Sequence, residues 1–215
     1  HTRYGTVTGV QTCALPIFTA EKLEASLTQQ AKGEGRFTTA VSQATATGEV
    51  NFTRADGVHA FTPLLAAKPA EQSVTLSGPG SWVGQNRTLI KGNTIAMRGD
   101  ARTLSVEGSG EFTHQSDATP ASGSQAAQPP LDVRVGWARG MTYDDKAGLI
   151  VCTGSAQADL SRGSLEKDSV KAQKVTLAIG PDTKSQSPKP DASFAATGMN
   201  RPLLWALARS EEHTS

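Results

Sequence analysis

The sequence predicts an all-β protein, an antiparallel meander of many short strands, and three observations carry that prediction. Apolar and polar residues alternate at period 2 in segment after segment, which sets one face of each segment against a core and the other in water. Each run is bounded by glycines and polar residues that tolerate the dihedrals of tight turns. A pattern near the start of the chain recurs near its end, and an internal repeat outranks local propensity as a guide to structure.

The two ends stand apart from this pattern. His1-Thr2-Arg3 and the run from Val7 to Ile17 read as translated sequencing-library adapter, and Arg209 to Ser215 reads as the opposite adapter. Residues 1–17 and 209–215 are therefore expected to be adapter-derived and to say nothing about the fold, with the stretch between them cut from a longer reading frame. That stretch holds one cysteine, Cys152, and two histidines, His59 and His114. A lone cysteine cannot close an internal disulfide and leaves the redox compartment open.

Within 18–208, the first segment is the ambiguous one. Glu21 to Lys32 is rich in helix formers, with Leu23 and Leu27 four apart, a spacing that suits one helical face. The run Thr19 to Leu27 nevertheless lines up with Val170 to Ala178, in which apolar residues alternate, so a strand is expected in both copies. Further strands are expected at Val74–Leu76, Ile95–Met97, Leu104–Val106, Val133–Trp137 and Val175–Ile179. Turns are expected at Ser77–Gly80, Arg98–Asp100, Glu107–Gly110 and Asp144–Gly148. Gln115–Pro130 and Pro181–Ser193 are rich in Pro, Ser and Gln; such segments bury too little apolar surface to offset chain entropy and are expected to be long mobile loops. The first of them divides the chain into an 18–114 block and a 131–208 block.

Composition narrows the function. The 21 basic and 20 acidic side chains nearly cancel, so there is no one-signed field to attract nucleic acid, and no nucleic-acid partner is expected. No apolar run approaches the roughly 20 residues of a membrane helix. The chain holds no phosphate-loop, nucleophile-elbow or zinc-protease motif and no paired-cysteine metal spacing. His59 and His114 lack neighbouring ligand types and are expected to be surface residues. Asp144 and Asp145 sit in a hairpin turn, where adjacent side chains point apart, so turn chemistry accounts for them better than acid–base catalysis. Cys152 lies in an apolar strand without a basic neighbour, as a small packing residue does. Trp82, Trp137 and Trp205 have aliphatic neighbours and are expected to pack rather than stack on a ligand. No catalytic residue, metal or cofactor is expected.

The order of these segments resembles a known family. Val133 to Asp144, with its Met141-Thr142-Tyr143-Asp144 ending, then Gly154 to Ala158, then Leu165 and Val170 to Leu177, looks like the OstA-like repeat of lipopolysaccharide-transport proteins. Ala46–Phe52, Val74–Gly78, Ile90–Met97 and Leu104–Phe112 fit the same arrangement in the first block. The resemblance implies an antiparallel β-jellyroll, or β-taco, built from OstA-like repeats: two facing sheets with an apolar groove. It further implies a non-enzymatic, periplasmic or outer-membrane-associated domain that holds the acyl chains of lipopolysaccharide or another acylated lipid. Such domains stack with other OstA-like domains through their edge strands, a use of unpaired strand edges with general precedent. By alternation, the groove-facing candidates are Leu104, Val106, Val133, Val135, Trp137, Met141, Val175, Leu177 and Ile179. A structural β-solenoid or adhesin-like repeat without lipid cargo fits the same Gly-, Ser- and Thr-rich hairpins. A carbohydrate-active enzyme would instead need two carboxylates converging across a cleft.

Overall fold

The structure, a computed structural model, describes residues 17–31, 37–54, 57–116, 129–163, 166–180 and 203–209. Most of the expected adapter residues, the 117–128 part of the first expected loop and the whole of the second, 181–193, lie outside the described residues.

Thirteen strands form one continuous antiparallel sheet among the described residues. In chain order they are β1 (Ile17–Thr19), β2 (Lys22–Ala31), β3 (Phe37–Thr53), β4 (Val58–Lys68), β5 (Ser73–Ser77), β6 (Trp82–Gln85) and β7 (Thr88–Arg98). They continue as β8 (Thr103–Gln115), β9 (Leu131–Trp137), β10 (Gly140–Asp144), β11 (Leu149–Arg162), β12 (Glu166–Ile179) and β13 (Leu203–Arg209). The ambiguous Glu21 segment is strand, as the repeat predicts, because β2 pairs along its whole length with β3. All five expected apolar strands lie within β5, β7, β8, β9 and β12.

Long strands fold this sheet into two wings, because each changes partners half-way along. The end of β3 from Val50 pairs with the start of β4, while its earlier part pairs with β2 and with the end of β4. β7 and β8 pair with each other on both sides of a register shift between Gly92 and Thr94. On one side of that shift they flank β5 and β10, and on the other they flank β6 and β9. β11 pairs with β10 up to Thr153 and with β9 from Gln157. The bends carry residues suited to a break in the ladder: Gly48, Gly108 and Gly154 at positive φ, and Pro63 where β4 passes from β6 to β5. Proline supplies no ladder N–H, so it costs little where pairing already changes hands.

The β8 bend corrects an expectation. Glu107–Gly110 does not turn the chain; β8 runs through it from Thr103 to Gln115. Gly108 has the left-handed φ of +78° that a turn would use. The ladder continues on both sides of it, however, with Glu107 opposite Thr94 and Gly140, and Gly110 opposite Gly92 and Trp137. Local backbone preference is satisfied by a bulge once long-range pairing is in place. The other three expected turns are found. In the last of them Asp144 Oδ1 accepts the Ala147 N–H at 2.9 Å, a side-chain bond three residues along that closes the β10–β11 hairpin.

Inward-facing residues align across the strands into apolar stripes. In the first wing one stripe runs Ala46, Leu65, Leu76, Ile95, Val106, Met141, Cys152, Val175, each directly opposite the next. A second runs Val74, Met97, Leu104, Tyr143, Ile150, Leu177. The other wing contributes Phe52, Ala60, Val83, Ile90, Phe112, Val135 and Ala158, a row that Val170 continues at an exposed end. Residues from both wings belong to one buried cluster. The opposite face is more polar, with Phe61 and Trp82 paired on it as an exception, and the two inner faces become buried together by lying against each other, which is the expected folded jellyroll.

The apolar interior and its open end

Each of the nine groove candidates points into this shared interior. Val106, Met141 and Val175 lie on the first stripe, Leu104 and Leu177 on the second, and Val135 on the stripe of the other wing. Val133 sits one position further along β9, and Trp137 stands at the bend opposite Gly110. Eight of them belong to the buried cluster and are no more than 4% exposed; Ile179 is half-buried against it. These residues are shielded from solvent by one another and by the rest of the buried cluster.

The stripes lose their cover toward the β2–β3 end. Leu23 stands opposite Ala46, which is fully buried, and so extends the first stripe by one strand. Leu23 is 59% exposed, and Leu27, two alternations further on the same face of β2, is 63% exposed opposite Val41. Their spacing of four suits one face of a helix, and on a strand it also puts both on one face. The repeat with β12 carries their signal once its motif of an alanine and two polar residues is superposed: Ala20-Glu21-Lys22 on Ala172-Gln173-Lys174 sets Leu23 on Val175 and Leu27 on Ile179.

Titratable groups are placed as structural parts. Asp145, the one carboxylate in the buried class among the described residues, accepts the Tyr143 hydroxyl at 2.7 Å and pairs with Arg102. It ties the hairpin to the β7–β8 turn and has no second carboxylate beside it in that class. Among the described residues no group of three or more His, Cys, Asp and Glu side chains is placed to hold a metal. A cleft of about 550 Å³ lies across β8, β9, β11 and β12, with Arg87, Asp132, Arg134, Asp159, Lys167 and Asp168 in its lining. Its charges are mixed, and Arg134 is already paired with Glu111.

His114 departs from the surface position expected for it. It is 8% exposed, with Nδ1 2.9 Å from the Thr88 hydroxyl and its ring stacked on Phe112. Its position in β8 gives the reason: His114 shares the inner face with Phe112, two residues earlier. His59 is exposed, as expected.

Cys152 is fully buried on the first stripe, and burial pushes its thiol up to about 12. Since the thiolate is the reactive form, Cys152 in a Cys13→Ser background is expected to react with an aromatic disulfide reagent near pH 8 at least about a hundredfold more slowly in the native protein than in denaturant. Equal rates in the two conditions would show that the stripe is open to solvent.

No family model matches this chain, and no curated protein does. A solved structure similar to it is described as LptH, the LptA homologous periplasmic component of the conserved lipopolysaccharide transport device from Pseudomonas aeruginosa. The two are 15% identical with a TM-score of 0.42, over 62% of this chain and 90% of that one.

Proposed function

We propose that this chain is a non-catalytic, periplasmic domain that holds the acyl chains of lipopolysaccharide or another acylated lipid during transport or outer-membrane assembly. The observation that supports this reading is the apolar stripe running from the packed interior out to uncovered Leu23 at the β2–β3 end. An acyl chain laid along such a stripe gains about 0.8 kcal/mol for each methylene taken out of water. The motif resemblance set out above points the same way. In this reading the nine candidates from Leu104 to Ile179 form the floor of the groove, and other domains of the same kind add to its free strand edges. Proteins that shield a lipid chain need aliphatic surface rather than acids, bases or metals, in keeping with the structural employment of Asp145 and Cys152.

A second reading, a structural β-repeat without cargo, draws on the dense packing of eight of the nine candidates. One experiment separates the two: retention of lipopolysaccharide through size exclusion, with deacylated polysaccharide as control. Retention of the acylated form alone is expected. Leu23→Asp with Leu27→Asp is expected to abolish that retention while changing stability by no more than about 1 kcal/mol, about 0.5 for each largely exposed site. A folded parent that retains neither ligand would favour the structural repeat.

A further inference from the structure

We propose that His114 is an acid-sensitive fastener, holding the end of β8 between β7 and β9 only while its imidazole is neutral. This inference does not rest on the lipid reading. His114 lies in a cross-strand row, Val58, Gln85, Thr88, His114, Val133, Leu160, Asp168, at the far end of the second wing. Thr88 on one side meets Nδ1 and Val133 lies on the other, both less than 5% exposed. Phe112 stacks on the ring with centroids 6.4 Å apart and planes 10° from parallel. Nε2 is enclosed and has no hydrogen-bond partner.

No carboxylate hydrogen-bonds the ring: Nδ1 meets the Thr88 hydroxyl and Nε2 meets no protein acceptor. His114 lines the cleft of about 550 Å³ together with Arg87, Asp132, Arg134, Asp159, Lys167 and Asp168, three bases and three carboxylates, and none of these hydrogen-bonds either ring nitrogen. Arg87, next to Thr88, reaches the Ser116 carbonyl. Asp168 shares the row but stands three strands away, beyond Val133 and Leu160. A second ring proton makes both nitrogens donors, leaving the enclosed Nε2–H without a protein acceptor and the charge held out of water. Burial accordingly holds the His114 pKa below its ordinary 6.5.

The sign follows from that direction. Above about pH 6.5 the ring is neutral in both the closed and open forms, and closure carries no proton penalty. Below it the open form takes up the proton first, so closure weakens until the pH passes the closed-state value.

Hydrogen exchange read by mass spectrometry on the full chain, corrected for intrinsic rates, tests this at about pH 7.5 and about pH 5. Peptides covering 111–115 and 131–135 are expected to show a rise in opening of up to about tenfold per pH unit below 6.5, levelling once the closed form protonates. His114→Phe, and Thr88→Val combined with His114→Phe, are expected to lose that pH dependence. Unchanged corrected exchange in the parent at the two pH values would overturn the proposal. So would an equal acid response in a variant that remains folded.

Discussion

Leu177→Asp is expected to abolish the folded state. Leu177 is fully buried on the second stripe, directly opposite Ile150 on β11. No basic group is among the residues of its stripe or of the buried cluster around it. Burying a carboxylate without a partner costs several kcal/mol, and the lost leucine packing adds about 2–5 kcal/mol, against a total stability of about 5–15 kcal/mol for a typical domain. Far-UV circular dichroism and urea unfolding check it. A cooperative transition within about 1 kcal/mol of the parent would mean that the interior admits water or a mobile side chain. The same argument applies to Val135→Asp at the centre of the other wing. Lipid loss in either variant would report unfolding, and for that reason the functional test belongs at Leu23 and Leu27.

Gly110→Val is expected to be the next most damaging single change. A Cβ at Gly110 would lie 2.5 Å from the Lys91 carbonyl oxygen and 2.5 Å from the Trp137 ring. The carbonyl belongs to the β7 backbone, which is held in register with β8 on both sides of the bend. Trp137 is anchored through Nε1, which donates to the Gly108 carbonyl at 3.1 Å. Neither neighbour can retreat without breaking a hydrogen bond, so the overpacking cost should reach or exceed the upper part of the usual 1–3 kcal/mol, roughly. For a chain of this size each kcal/mol lowers the thermal midpoint by about 2–4 °C. Gly136→Val is the control, since a Cβ there meets nothing within 4 Å. Equal midpoints for the two variants would show that the bend is loosely packed.

Both predictions depend on the bends, the part of the fold least legible in the sequence. The strands themselves were legible: alternation marked Val133–Trp137 and Val175–Ile179 correctly, and the repeat with β12 outweighed the helix propensity of Glu21–Lys32. Alternation works there because a strand with one buried face must present apolar residues at every second position. The Glu107–Gly110 segment misled because a left-handed glycine looks the same locally in a turn and in a bulge. His114 misled for a related reason, since a single polar residue on an inner face carries no local mark of its burial. Leu76, Ile90, Ile95 and Phe112 lie on the same stripes as the nine candidates, yet local reading had no means of ranking them alongside Val106 or Val135.

By itself, the sequence determined the all-β class, the antiparallel strands, most of the hairpin turns and the inward set of side chains, all consequences of residue order over a few positions. The tertiary structure decided which strands become neighbours, where each bends from one wing to the other, and which stripe residues are sealed while Leu23 and Leu27 stay open to water. Those outcomes depend on register between segments far apart in the chain, where a shift of one residue would turn every side chain to the opposite face.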